Sequence, residues 1–255
     1  MTKIKSVLLA IAFVVMLPLS GLLAQDAIPA GPAGTKVIYS PEKRMFPCKW
    51  RKKRIDPEVI RLDTAENQRM QAILDRSLRK YPSKLLKKNL KAIYVLKSMF
   101  FYGLEYGGTY YKRKVYLSNN GIVNGYSDAY LEGSFHHEFS SVLLNRHPRS
   151  FDRDSWQASS PAGFVYGNGG REALSMNATG LDLDSTLYRD GFLNEYSLAS
   201  LEEDFNCFAE YIFRNDPGFW QAWESSEAIR RKTAILIRFY NRLDPVFTLE
   251  YFRGL

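Results

Sequence analysis

The chain contains few of the residues that build metal or disulfide clusters. Its 255 residues include two cysteines and three histidines. This number of cysteines excludes a disulfide framework and a cysteine-rich zinc site. Cys48 and Cys207 either pair with each other or remain two separate buried thiols. Any catalytic or metal site must therefore rely on carboxylates and very few imidazoles.

Long hydrophobic segments are also scarce. The apolar run from Val7 to Leu17 is shorter than the ~20 residues that a membrane-spanning helix needs. Lys3 and Lys5 precede this run and small residues follow it, a layout typical of a secretory signal peptide over residues 1–24. The pattern predicts a secreted or periplasmic protein with no membrane span after cleavage. An uncleaved membrane anchor is the alternative.

The charge balance gives little indication of an anionic partner. Lysine and arginine outnumber aspartate and glutamate by 35 to 27, a formal net charge of +8. The densest basic segment is Lys-Trp-Arg-Lys-Lys-Arg at residues 49–54. Because no alternation of basic and aromatic residues continues beyond it, we interpret it as a solvated stretch and predict no nucleic-acid binding.

Hydrophobic periodicity and turn residues predict an α+β fold. A small mixed or antiparallel sheet should pack on a central helix, and a mainly helical C-terminal half should follow. Residues 25–55 are predicted to be a leader or linker, and residues 56–255 a single domain. The predicted elements are a helix over 63–80, strands over 91–99 and 110–118, the central helix over 128–145, an irregular segment over 147–192, and helices over 197–214, 217–229 and 229–242.

The segment His-His-Glu-Phe-Ser-Ser, residues 136–141, lies on the predicted central helix and carries the strongest chemical signal. His137 and Glu138 begin an HExxH pattern. In that pattern two imidazoles four residues apart bind one zinc ion, and the glutamate takes a proton from the zinc-bound water. Ser141 occupies the position of the second histidine. The expected site therefore lacks one nitrogen ligand.

Helical geometry, at ~100° per residue, separates this helix into two faces. His137 and Ser141 share the polar face, as the two histidines of HExxH must. The polar face comprises Tyr130, Ser134, His137 and Ser141, and the core stripe comprises Leu131, Phe135, Phe139, Val142 and Leu143.

Of the two remaining histidines, one is a candidate for completing the site. His147 follows His137 by ten residues, the offset of the third ligand in HExxHxxGxxH sites, but that arrangement needs a sharp turn after the helix. Asn145 is the local residue best suited to such a turn. His147 is therefore a candidate metal ligand, and an ordinary helix exit is the alternative. His136 points ~100° away from His137 and is predicted to be structural or at the surface.

A second helix, over residues 200–213, carries acidic residues on one side. Glu203, Asn206 and Glu210 share a face, since offsets of three and seven return to nearly the same helical angle. Phe205 and Phe208 belong to the opposite stripe and are predicted to be buried. By composition alone, the acidic face is also consistent with an ordinary solvated face of an amphipathic helix.

Together, the segments HHEFSS and EDFNCFAEYIF, the latter starting 66 residues after His137, resemble the gluzincin metallopeptidases. The likeness is to the lethal-factor-like and Mlc-titration-factor-like groups and to zinc-binding metallopeptidases of secreted bacterial proteins. In these groups an HEFxH helix precedes a helix that begins Glu-x-Phe and reaches a second glutamate before aromatic residues. The resemblance covers roughly residues 83–215.

This resemblance implies a zincin-like fold and zinc as the cofactor. His137 would be the first zinc ligand, Glu138 the general base and Glu203 the third ligand. If so, a His137 ring nitrogen and a Glu203 oxygen should lie within about 5 Å, since each zinc bond would be ~2.0–2.2 Å. The substrate would be a peptide or protein lying along the sheet edge, and Ser141 is the departure from the pattern.

Three functions are therefore open. The first is a secreted metallopeptidase-like protein with an altered metal site and zinc-dependent peptide hydrolysis. The second is a catalytically inactive gluzincin-fold protein that serves in binding or as a scaffold. The third is an exported structural domain without a site. Measurement of bound metal would separate the first from the other two.

Overall fold

The computed structural model describes residues 27–30, 34–42, 44–176 and 180–255. The predicted signal peptide, residues 1–24, lies outside the described residues. In the described ranges the chain forms an α+β fold with a mixed sheet, as predicted from the sequence. The strands are β1 (Ala27–Ala30), β2 (Thr35–Ile38), β3 (Glu58–Arg61), β4 (Ala92–Phe101), β5 (Leu104–Tyr106), β6 (Gly108–Tyr111) and β7 (Lys114–Ser118).

The helices lie mainly in the C-terminal half of the chain, which also agrees with the prediction. Short 3-10 turns connect several of them. None of the helices in the described ranges is long and apolar enough to span a membrane. The helices are α1 (Asn67–Arg79), α2 (Ser83–Asn89), α3 (Asp128–Arg146), α4 (Arg153–Gln157), α5 (Gly170–Ser175), α6 (Leu201–Phe213), α7 (Pro217–Ser225), α8 (Glu227–Leu243) and α9 (Leu249–Arg253).

Strand β4 is the centre of the sheet. It pairs in parallel with β2 and β7 and antiparallel with β3 and β5. Its side chains alternate between two apolar clusters, as strand geometry requires. Ile93 and Val95 belong to the helical core, whereas Tyr94 and Leu96 belong to a second cluster. The sheet is therefore covered on both faces.

The second cluster corrects the prediction of a leader over residues 25–55. Strand β2 lies beside β4 inside the sheet, and the chain that follows it covers one sheet face. Met45, Phe46 and Ile55 are buried there. The leader prediction is wrong for residues 34–55 because these apolar residues have no regular spacing, so their contacts with the sheet are not visible in the local pattern.

The segment 110–118, predicted as one strand, is a hairpin. Strands β6 and β7 are antiparallel, with Tyr111 opposite Lys114, and Lys112 in the turn has φ of 56°. The turn therefore takes up much of the positive charge of this segment. Of the two strands of this hairpin, β6 (Gly108–Tyr111) lies at one end of the sheet, and it contains no charged residue.

Helices α3 and α6 form the centre of the helical core. The five side chains predicted to be buried on their apolar stripes have no exposed surface, which confirms the prediction. They are Phe135, Phe139, Val142, Phe205 and Phe208. Because these stripes fill the core, the opposite polar faces of α3 and α6 are held towards the β6 edge of the sheet.

The two cysteines agree with neither of the predicted alternatives. Both thiols are free; Cys207 is buried and Cys48 is exposed. Cys207 lies on α6 among the residues of the helical core. Cys48 belongs to the segment that covers the far face of the sheet, and its sulfur accepts a hydrogen bond from Arg51 Nη2 at 2.8 Å.

Candidate functional site

A cleft of about 480 Å³ lies between the edge strand β6, the polar face of α3 and the first turn of α6. Glycines 169 and 170 and Arg171, at the start of α5, form another wall. Most of the polar lining consists of tyrosine and glutamate side chains. These are Tyr106, Tyr110, Tyr130 and Tyr196, with Glu138, Glu202, Glu203 and Glu210.

Helix α3 presents its polar face to this cleft. Its first turn is capped by Ser127, whose hydroxyl accepts a hydrogen bond from the Tyr130 N–H at 3.2 Å. The polar face predicted from helical angles is confirmed, since all four of its residues line the cleft. They are Tyr130, Ser134, His137 and Ser141.

Helix α6 begins at the cleft. The Glu203 N–H donates to the Ser200 hydroxyl at 3.1 Å, which caps the helix. Glu202, Glu203 and Asp204 occupy the first turn, where the helix dipole favours negative charge. Glu202 and Glu203 consequently enter the cleft from a well-defined helix start.

His137 lies between two carboxylates. Its Nε2 is 2.9 Å from a Glu203 oxygen, which confirms the predicted approach, and its Nδ1 is 3.5 Å from a Glu210 oxygen. Burial alone would lower the pKa of His137, but the hydrogen bonds to Glu203 and Glu210 outweigh it and raise the pKa well above its ordinary value. His137 is therefore an imidazolium held by both carboxylates.

Glu138 is the unpartnered acid of the cleft. Its side chain is 9% exposed, and it has no hydrogen bond or ion pair with the residues that the structure describes. Burial raises its pKa to about 8; the His137 charge opposes this shift, and the carboxylates of Glu203, Glu202 and Glu210 add to it. A glycine, Gly108 of β6, packs against it, since a Cβ on Gly108 would come 2.6 Å from Glu138 Oε1.

The Ser141 side chain is hydrogen-bonded to a residue of α6. Its hydroxyl accepts a hydrogen bond from Asn206 Nδ2 at 2.6 Å, and the Asn206 Oδ1 accepts one from Ser140. Ser140 also donates to the His137 carbonyl at 2.8 Å. Where HExxH has its second imidazole, this chain therefore has a buried serine–asparagine network that ties α3 to α6.

The structure does not place His147 near His137 and Glu203, so the prediction of His147 as a metal ligand is wrong. Helix α3 continues to Arg146 without the sharp turn that the prediction required. Ten residues of helix separate His147 from His137 by ~15 Å along the axis. The His147 Nε2 instead pairs with Asn89 Oδ1 at 3.0 Å.

His136 is a core residue, which agrees with the prediction of a structural histidine and not with the alternative of a surface position. It has no exposed surface, its ring stacks on Phe213 with centroids 5.0 Å apart, and its Nδ1 is 2.9 Å from the Tyr81 hydroxyl. Burial lowers the pKa of His136 to about 4. This histidine is therefore neutral and structural near neutral pH.

The donor set does not fit a zinc site. Structural and catalytic zinc sites usually offer at least three converging protein ligands. Glu203 and Glu210 approach different nitrogens of His137, so both cannot bind one ion together with that ring. In the described part of the chain, no group of three or more His, Cys, Asp or Glu residues is arranged to hold a metal ion.

The sequence predicted the polar faces of the two helices but not most of the other residues that line the cleft. Glu210 and Asn206 were predicted to share the Glu203 face, without a role in the site. Glu202 and three of the four tyrosines, Tyr106, Tyr110 and Tyr196, were missed because they come from separate segments of the chain. The one local signal for them is the paired glutamate at the predicted start of α6.

Comparison with models of known protein families, with curated proteins and with solved structures gave no match. The resemblance to gluzincins therefore remains a prediction that rests on the two helix motifs and on the proximity of His137 to Glu203.

Proposed function

We propose that this protein binds an extended segment of a peptide or protein in the cleft, without zinc-dependent hydrolysis. It would be a catalytically inactive relative of the gluzincins, exported as its amino-terminal sequence predicts. The observation that carries this proposal is the hydrogen bond from Asn206 to Ser141, because it fills the position of the second metal ligand with a satisfied neutral network.

The edge strand supports the choice of an extended ligand. Strand β6 ends the sheet and forms one wall of the cleft. The backbone groups on the outer side of an edge strand are free to pair with an added strand. Because β6 carries no charge, it also lacks the lysine residues that often protect edges from such pairing.

The positive charge of His137 disfavours zinc binding. The ring must lose its proton before Nε2 can bind a metal, and two carboxylates stabilise that proton. The Ser141 hydroxyl is a weaker zinc ligand than imidazole, and it is already hydrogen-bonded. These two features favour peptide binding over zinc-dependent peptide hydrolysis as the function of the cleft.

Zinc-dependent peptide hydrolysis is the second candidate, and one observation favours it. Glu138 is an unpartnered, buried carboxyl group adjacent to the His137–Glu203 pair. This is the position and chemical class that the gluzincin resemblance predicts for the general base. The two candidates differ in whether the parent protein binds zinc.

Calorimetric titration with zinc tests this difference. We expect weak or undetectable binding by the parent, and at least ~10-fold tighter binding by Ser141→His, a gain of ~1.4 kcal/mol. The new imidazole would lie beside His137 on the polar face of α3, facing Glu203 of α6, without entering the core stripe. His147→Ala is the matched control and should leave zinc binding unchanged, because His147 lies outside the cleft.

Tight, equimolar zinc binding by the parent would overturn the proposal in favour of the second candidate. Loss of that binding in His147→Ala would show, in addition, that the carboxyl end of α3 rearranges. Failure of the parent and Ser141→His alike to bind zinc would reject a repairable metal site and leave the binding function in place.

A further inference from the structure

The carboxylates of the cleft are not equally neutralised. Glu203 and Glu210 contact His137, and Glu210 also pairs with Arg214 at 3.3 Å. The remaining cation of the lining, Arg171, lies over the Tyr102 ring at 5.0 Å. Within the described residues, Glu138 and Glu202 have no cationic partner. Glu202 is therefore the carboxylate of the cleft whose charge is not balanced, and the neutral Glu138 lines the same space.

Tyr110 links these two acidic residues to the edge strand. Besides burial, the largest influences on its pKa are the charge of Glu202 and a hydrogen bond with it, followed by Glu138 and Glu203; all of them raise it. The Tyr110 side chain, which belongs to β6, thus lies close to both unpaired carboxyl groups. A strand added to β6 would pass beside them.

Two independent features point to a positively charged organic ligand. The Glu138 side chain is nine-tenths buried, lines the cleft and has no hydrogen-bond partner in the described residues. The aromatic rings of Tyr106, Tyr110, Tyr130 and Tyr196 surround the same space. Carboxylates together with aromatic faces are the chemistry that recognises ammonium and guanidinium groups.

We propose that the cleft selects a lysine or arginine side chain of the bound segment and places its charge between Glu138 and Glu202. This inference rests on the proposed peptide-binding function and adds the class of ligand. A lysine or arginine stem can lie along the tyrosine rings while its charged end reaches the Glu202 carboxylate and donates a hydrogen bond to the neutral Glu138 side chain. A hard metal cation such as Ca²⁺ fits less well, because it requires six to eight converging oxygen ligands.

Three capped heptapeptides test the proposal. Each alternates threonine and valine, and the central residue is lysine, norleucine or glutamate. Fluorescence anisotropy with the labelled peptides should give a dissociation constant at least ~10-fold lower for lysine than for norleucine, and the weakest binding for glutamate. Norleucine retains the length and apolar stem of lysine, so the difference measures the charge.

Glu202→Gln should reduce the preference for lysine over norleucine to less than about threefold, because it removes the carboxylate charge that would balance the lysine. Glu224→Gln, an exposed position on α7, is the matched control and should keep the full preference. Equal binding of all three peptides by the parent would reject selection by charge and leave peptide binding intact.

Two other outcomes would also overturn the inference. Absence of binding for every peptide would reject the proposed function and this inference with it. Tight binding of Ca²⁺ that is lost in Glu202→Gln, together with no preference for the lysine peptide, would assign the carboxylates to a metal ion.

Discussion

Replacing Lys232 by methionine is expected to lower the free energy of unfolding by about 3–5 kcal/mol, the usual cost of breaking a buried ion pair. Lys232 on α8 and Asp204 on α6 have no exposed surface, and Lys232 Nζ is 2.7 Å from Asp204 Oδ2. The same oxygen accepts hydrogen bonds from Trp156 Nε1 at 2.9 Å and from the Tyr166 hydroxyl at 2.6 Å. Methionine would leave the Asp204 charge buried without its cation.

The environment of this pair explains the size of the effect. Burial raises the pKa of Asp204 and lowers that of Lys232, because both charges lose hydration, and their mutual attraction opposes both shifts. Lys232 Nζ lies 3.9 Å from the Phe192 ring centroid and 5.4 Å from that of Trp156. Asp204 directly follows Glu203, so the pair also fixes the start of α6 at the cleft.

Chemical denaturation of the variant and two controls measures this prediction. Arg231→Met removes the neighbouring exposed pair with Glu227, whose partners are 56% and 73% exposed, and should cost less than about 1 kcal/mol. The double variant Lys232→Met with Asp204→Leu should recover part of the loss, since no charge remains buried. A loss below about 1 kcal/mol for Lys232→Met alone would contradict the assignment of a buried ion pair.

Replacing Glu138 by glutamine is expected to stabilise the fold increasingly as the pH rises. The pKa of Glu138 is raised from 4.5 to about 8. Below pH 4.5 the folded and unfolded states both hold the proton. Between pH 4.5 and about 8 the unfolded state releases it and the folded state retains it, so the free energy of unfolding falls with pH.

The variant has no such titration. Its free energy of unfolding relative to the parent should therefore rise between pH 5 and pH 8 by ~2–4 kcal/mol, at 1.36 kcal/mol per pKa unit. Urea denaturation across this pH range measures the trend, and any constant packing difference between the two side chains cancels. Glu224→Gln serves as an exposed control. A difference independent of pH would show that Glu138 is not held in its neutral form.

The sequence predicted the helical part of the site because local spacing determines it. Core positions on α3 and α6 follow the helical period, so the opposite faces could be assigned before any contact was known. The approach of His137 to Glu203 followed from those faces and from the gluzincin resemblance. Zinc binding, zincin-like topology and catalysis remain predictions of that resemblance.

The errors arose where long-range contacts or backbone turns decide the structure. The turn at Lys112 splits a continuous strand pattern into a hairpin, and the contacts of Met45 and Phe46 with the sheet join distant parts of the chain. His147 was misplaced because its role depended on a sharp turn, whereas α3 simply continues to Arg146. The short helices α2 and α9 contain too few turns to show a clear period.

The binding of the lysine heptapeptide with and without zinc tests the central claim most directly. Anisotropy titrations would be run in excess chelator and in equimolar zinc, and the peptide would be analysed by mass spectrometry after prolonged incubation. We predict dissociation constants that agree within about twofold and a peptide that stays intact, because the cleft holds its ligand through β6 and its carboxylates. Binding that weakens at least ~10-fold on chelation, or cleavage of the peptide in zinc, would contradict the account.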